Sequence, residues 1–450
     1  MPDYTPSCEK RAEEIKQINL TPEEKVIEEM NQKYAVIHTK STYILVEKDN
    51  NTFVLDSRAS LIHLHENDFF QDSEDKPQNK AKFWLKHPNR RTYKNLVFDP
   101  TKPGHFDGNY NIFKGFAILP EKGDCSLYWK HVLEVVCSDN QEHYLYLRKW
   151  MACVIQKPSL LSTAIVLRGL QGTGKNLFAQ FFGDLFGIHF LTLTSLDQIV
   201  GRFNSHLQNA YLLFANEAIW GGNKKEVGAL KALITDPTIF IEAKGKDGYP
   251  IKNNRHLIIC TNESWAAPID LDDRRFFCLN VSDKHKGNLT YFKDLVHQME
   301  HGGKKALLYD LLNEDLTDFN PNVMPANDSG FDIKMKSASS TERYIYEALK
   351  AGAWNLTNDS SFWEFGDISS QNIYTYYKNW CDDESFKKES SSEFGKSLKK
   401  LIASVKKYRP TVDNKRAWHY RFLSLEACRR EFQQFTKQTE KIWEEDVQDN

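Results

Sequence analysis

The chain has 450 residues, 40% hydrophobic and 27% charged, with 59 basic side chains against 61 acidic ones and a formal charge of −2. That length exceeds one compact core, so roughly two to four domains are expected. The near-neutral balance decides neither for nor against nucleic acid. No apolar run approaches the ~20 residues needed to cross a bilayer. The start, Met1-Pro2-Asp3-Tyr4-Thr5, lacks a secretory pattern, and eight scattered cysteines form no CxxC pair. These features argue against a membrane span, a disulfide framework or a structural zinc, and fit a reducing cytoplasm.

In chain order, Thr21-Pro22-Glu23-Glu24 joins a capping residue, a first-turn proline and an N3 glutamate, which predicts a helix to about Lys33. Tyr34–His38 and Thr42–Val46 read as paired strands, and residues 1–120 as a mixed α+β region. Helical patterns over Ser126–Val136 and Gln141–Ile155 make a helical module of residues 121–160. From Leu161 to Ser282 helices alternate with short apolar strands, the mark of an α/β layer on a largely parallel sheet. With trailing helices over 286–315, this unit spans 161–318. A linker is expected at 319–340, where Asn320–Gly330 is rich in Pro, Asn and Gly. Residues 341–450 then show helices over Thr341–Leu349, Ser370–Trp380 and Ser392–Val405, a hairpin over Tyr408–Ser424 and a last helix over Leu425–Phe435. That order predicts a winged-helix-like basic domain. Between Lys396 and Arg430, eleven basic residues face only Asp413 and Glu426, a net +9 and a candidate footprint for a phosphate backbone.

The chemistry concentrates in four places. Ala164-Ile165-Val166-Leu167 leads into Gly169-Leu170-Gln171-Gly172-Thr173-Gly174-Lys175-Asn176, followed by Leu177-Phe178 of an amphipathic run. A glycine loop between strand and helix lets backbone N–H groups converge on phosphates, with Lys175 reaching the β- and γ-phosphates. Gly169, Gln171, Gly172, Thr173, Gly174, Lys175, Asn176 and Leu177 are therefore the expected ATP-binding residues. Next, Tyr211–Ala215 ends in Asn216-Glu217, where Glu217 would orient or deprotonate water for attack on the γ-phosphate. A third strand, His256–Cys260, delivers Thr261-Asn262. Asn262 either contacts the attacking water or γ-phosphate, or caps the turn that follows. Finally Asp272-Asp273-Arg274-Arg275 offers a cation to a neighbouring subunit's γ-phosphate, or a local ion pair with the two aspartates. Arg274 is favoured for the outward role, with Arg275 close behind. Between the second and third strands, Lys244 and Lys246 lie in a Gly-rich hairpin that either tracks DNA phosphates or is a solvated turn. Lys224, Lys225 and Lys231 read as a solvated helix face.

This series of glycine loop, strand-Asn-Glu, basic hairpin, strand-Thr-Asn and paired arginines, within about 110 residues, resembles superfamily 3 helicases. It is most similar to the helicase part of phage and plasmid primase-helicases, over roughly residues 80–285, with Trp150–Pro158, Gly201-Arg202-Phe203-Asn204 and Asn216-Glu217-Ala218 as further points of likeness. The resemblance implies a P-loop NTPase of AAA+-like type, a homo-hexameric ring with ATP and Mg²⁺ at subunit interfaces, and translocation on single-stranded or forked DNA in the cytoplasm of a bacterial host. It makes Asn262 the sensor, Arg274 or Arg275 the arginine finger, and Lys244 and Lys246 DNA contacts. Lys399, Lys400 and Arg416 in the C-terminal domain are DNA contacts or plain solvated surface.

Two departures stand out. Asn176 replaces the usual Mg²⁺-binding hydroxyl, and Asn216 replaces an acid. Mg²⁺ prefers oxygen ligands and keeps its waters, so it is expected to be held chiefly by nucleotide phosphates, with Asn176, Asn216 and Glu217 nearby. The first 150 residues show no polymerase or primase acid cluster, so primer synthesis would reside on a further segment or a partner. The alternatives to a helicase are an AAA+-type protein remodeller or loader, and a nucleotide-stabilised scaffold without hydrolysis.

Overall fold

The computed structural model describes residues 20–38, 42–48, 52–102, 104–195, 197–217, 224–242, 244, 248–262, 270–325, 328–356, 367–412, 415–438 and 440–443. The helix Pro22–Lys33 starts as its sequence dictates. Thr21 Oγ1 accepts from Glu24 N at 3.2 Å, while Thr21 N donates to Glu24 Oε2 at 2.9 Å. Its buried face of Val26, Ile27 and Met30 meets Trp84 beneath a small sheet. There Tyr34–His38 pairs antiparallel with Thr42–Glu47 and parallel with Thr92–Tyr93.

Five strands carry the candidate site: β1 Ala164–Arg168, β2 Phe190–Leu193, β3 Leu212–Asn216, β4 His256–Thr261 and β5 Phe276–Asn280. All neighbours pair in parallel, in the order β2-β3-β4-β1-β5. Each strand is an apolar run because each is covered on both faces. The period of two divides them. Ile165, Leu167, Leu212, Phe214, Ile258, Cys260, Phe277 and Leu279 enter one core. Ala164, Val166, Leu213, Ala215, Leu257, Ile259, Phe276 and Cys278 enter the other. Helix Gln141–Gln156 and α1, Lys175–Asp184, contribute to the first core, and α2, Lys224–Thr235, to the second. The helical module is fastened to the sheet near the end of its long helix. Trp150 Nε1 donates to Thr163 Oγ1 at 2.9 Å, and Tyr211 Oη to Val154 O at 2.6 Å.

The stretch read as a linker is not irregular throughout: α3, Asp328–Ser337, lies inside it, with Phe331 and Lys334 buried. Next come α4 Ser340–Ala351, α5 Ser370–Asp383, α6 Ser391–Leu401 and α7 Leu425–Thr436. Strand His419–Arg421 pairs antiparallel with Asp367–Ser369 on one side and Lys406–Tyr408 on the other. These elements share an aromatic core of Tyr344, Tyr377, Trp380, Phe394 and Phe422. Leu271, from the loop before β5, is buried in that same core.

Candidate functional site

The strand registers bring one set of ends together. Thr261 and Asn280 both pair with Arg168, and Asn216 pairs with Cys260. The residues that follow β1, β3, β4 and β5 therefore emerge along one carboxyl edge. Because β4 lies between β1 and β3, Asn262 emerges between the glycine loop and Glu217. Open parallel sheets bind ligands at this carboxyl edge.

The loop joining β1 to α1 needs its glycines for two reasons. Gly172 and Gly174 have φ of +81° and +93°, which L side chains rarely adopt. At Gly174 a Cβ would also lie 2.6 Å from His131 Cε1, and at Gly169 it would lie 2.9 Å from Val281 Cβ. Gly174 is the N-cap of α1 and supplies no side-chain cap, so the first-turn amides are oriented toward an incoming anion. Lys175 is only 4% exposed, and its Nζ donates to Gly169 O at 3.0 Å and Leu170 O at 3.1 Å. Thr173 Oγ1 donates to Leu170 O at 3.0 Å. Gln171 and Asn176 are exposed, whereas Leu177 packs against the first core.

Glu217 is exposed and has φ +53°, a left-handed conformation in a residue with a side chain. Such strain collects at functional positions. Its N–H donates to Cys260 O at 2.9 Å, which fixes the turn off β3 against β4. Burial pushes the Cys260 thiol well above its ordinary range; the Lys175 ammonium pulls it back and the Glu217 carboxylate adds to the rise. The two charges thus converge on the end of β4. Asn216 Oδ1 is buried and has no hydrogen-bond partner among the described residues. Those residues contain no cluster of three His, Cys, Asp or Glu side chains able to hold a metal. An orphaned amide oxygen beside one carboxylate suits a hard divalent ion that keeps most of its water. Asn262 is exposed and borders a cleft with Arg168, Gly169, Leu170 and Asn280.

The two arginines are held differently. Arg275 Nη1 lies 3.2 Å from Asp273 Oδ2, and its N–H donates to Asp273 Oδ1 at 2.8 Å. Arg274 is exposed. The Asp273 carboxylate is fully buried and also meets Lys231 Nζ at 3.2 Å. Lys231 is therefore not on a solvated face: it is drawn in by Asp270 and Asp273. The side chains of Lys224 and Lys225 lie outside the described residues. Lys244 sits exposed at the tip of the hairpin Thr238–Ile241 and Tyr249–Lys252, and Lys246 lies outside the described residues. Lys399, Lys400 and Arg416 are exposed and distant in sequence from this edge. Lys400 nevertheless reaches back, with Nζ 3.8 Å from Asp272.

Sequence reasoning missed His131. It is fully buried, with Nε2 3.2 Å from Gly174 O and Nδ1 3.0 Å from Tyr291 Oη. A carbonyl only accepts, so Nε2 carries the proton and Nδ1 accepts from Tyr291. Burial holds this imidazole down at about 4, hence neutral. The ring is presented by Ser126–His131, where the helix passes into a π-turn, Val132–Val136, closed by Cys137 N to Val132 O at 2.9 Å. Single π-turns recur at functional places. Apolar periodicity carries no trace of such a turn.

Residues 167–275, from the end of β1 to the arginine pair, match a family described only as one of unknown function, DUF5906. Over 190 residues the chain is 27% identical to the DNA primase-polymerase of Nitratiruptor phage NrS-1. That match takes in 40% of this chain and 26% of that protein, so it reaches about a quarter of the relative's length. The apo structure of the NrS-1 C-terminal region is similar at a TM-score of 0.65 and 18% identity, covering 88% of this chain and 97% of that one. Its A form matches at the same TM-score, covering 98% of that chain. The chain is thus related in sequence to a phage DNA primase-polymerase and shares the fold of the NrS-1 C-terminal region. No described helix is long and apolar enough to cross a membrane.

Proposed function

We propose that the chain is an ATP-driven DNA translocase or helicase of the superfamily 3, AAA+-like kind, acting in replication of a phage or other mobile element. One observation carries this reading: the glycine loop with Lys175, Glu217 and Asn262 converge on one edge of a parallel sheet, with β4 between β1 and β3. On this reading the amides of Gly172 to Asn176 cradle phosphate oxygens, and the Lys175 ammonium exchanges two carbonyls for β- and γ-oxygens. Glu217 takes the proton of the attacking water, and Asn262 holds that water in line. Bound Mg²⁺ would neutralise charge building on the phosphates, with Asn176, Asn216 and Glu217 as the side chains beside it. Arg274 serves a neighbouring subunit's nucleotide while Arg275 stays with Asp273, which requires a ring, taken here as a homo-hexamer. Lys244 and Lys246 follow a DNA strand inside it. A primase or polymerase domain or protein completes the replication machinery.

The two amides Asn176 and Asn216 favour one second reading, a scaffold that binds nucleotide without turning it over. Turnover separates the two. The expected result is ATPase activity stimulated by single-stranded DNA, lowered about 10²–10⁴-fold by Glu217→Gln with ATP binding retained. Absence of turnover in the wild-type chain, with ATP bound, would leave the scaffold. Tight Mg²⁺ binding without nucleotide would contradict the metal assignment.

A further inference from the structure

The aromatic row of the C-terminal sheet does not stop at the core. Phe422 and Tyr420 are each 5% exposed, whereas Trp418, two residues further along the same side of the strand, is 47% exposed. Its backbone is fixed, because Ser370 N donates to Trp418 O at 2.8 Å and the strand it precedes is paired on both edges. Cations surround the indole. Lys407 Nζ lies 5.5 Å from the ring centroids of both Trp418 and Tyr420, and Arg409 Cζ lies 5.7 Å from that of Trp418. Arg421 covers Tyr408 at 4.6 Å. Residues 406–421 hold six basic residues and a single acid, Asp413. Nearly half of the Trp418 surface stays in water with cations beside the ring, the pairing of an aromatic face with positive charge that single-stranded nucleic acid uses.

We propose that this hairpin is a binding site for single-stranded nucleic acid, in which an unpaired base stacks on Trp418 while Lys407, Arg409 and Arg416 meet the flanking phosphates. An exposed indole offers a π-face that any unpaired base can use, whereas bases in a duplex are already stacked on each other. The preceding helix is less suited. Lys400 on α6 is engaged by Asp272 at 3.8 Å and lies over Phe435 at 4.9 Å. The site rests on the proposed function only in taking nucleic acid as the partner; it needs neither hydrolysis nor a ring.

The test uses the full chain without nucleotide and end-labelled oligonucleotides read by fluorescence anisotropy: an oligo-dT, the matching oligo-rU, and a DNA duplex of equal length. Trp418→Ala should weaken oligo-dT binding about 5- to 150-fold, the usual worth of one stacked base. Trp418→Phe, which keeps a π-face, should restore most of it, and neither change should alter duplex affinity. Lys407→Ala should lower the salt slope of oligo-dT binding by about 0.7, one phosphate contact on a single strand. The rU arm tells whether the same platform takes RNA. Equal oligo-dT affinity of wild type and Trp418→Ala would overturn the site and leave this face to a protein partner. Equal weakening of duplex and single strand would overturn the stacking role. If wild type binds none of the three probes, the DNA partner of the proposed function falls too; if binding is strong but independent of Trp418, only this inference falls.

Discussion

At Gly174 two demands fall on one residue: a left-handed backbone and room for a histidine ring. His131 meets it there as a neutral donor, and neutrality has a price in acid. Its native pKa of about 4 lies below the usual 6.5, so between those values the unfolded chain holds a proton that the folded one does not. Stability therefore falls as pH drops from about 6.5 toward 4. His131→Gln removes this titration. The wild-type melting temperature should fall more between pH 7 and pH 4.5 than that of the variant; parallel curves would show that His131 does not titrate with unfolding. On the proposed function, the same change at neutral pH should weaken ATP binding by loosening the loop, read as a raised Kd. The glycines, Lys175 and Glu217 were legible because their chemistry is compressed into short local patterns. His131 was not, since its partner carbonyl is 43 residues away and nothing local marks the ring.

Among elements, the segment just before β5, residues 270–275, is held by buried charge. Asp273 is fully buried and receives Arg275 and Lys231 together. Asp273→Ala would strand two cations, one 19% and the other 33% exposed. A loss of about 3 kcal/mol is expected in denaturant unfolding, the lower end for breaking a buried pair. A cost under ~1 kcal/mol would mean that the three side chains act as exposed partners. The aspartates and arginines were visible in the sequence, but the third member, Lys231, was not. It stands on a helix whose polar face looked solvated, and its partners lie some 40 residues on. The parallel strands were legible as apolar runs, since burial on both faces erases alternation. Helix α3 was hidden for the opposite reason. Its residues include Ser329-Gly330, poor helix formers, and burial of Phe331 and Lys334 against distant elements supplies what propensity does not.

For the whole molecule, the contacts between the carboxyl edge of the parallel sheet and the C-terminal elements include Leu271, Asp272, Lys334 and Lys400. Leu271 is buried in the C-terminal aromatic core, Lys334 Nζ donates to Leu271 O at 3.1 Å, and Lys400 meets Asp272. Leu271→Ala should cost about 2–3 kcal/mol as a large-to-small core change, and should quicken limited proteolysis around residues 319–340. Unchanged cleavage there would show that the domains stay docked without it. The order of helices and strands could be sketched from residue patterns, but this junction could not, because an isolated leucine beside charged neighbours carries no mark of the core it enters. The same junction has a mechanical side. Arg274 follows Leu271 by three residues and so rides on a short arm whose pivot belongs to the other domain. A load on the C-terminal elements would enter that arm at Leu271 and be opposed one residue before Arg274, where Asp273 is held by Lys231.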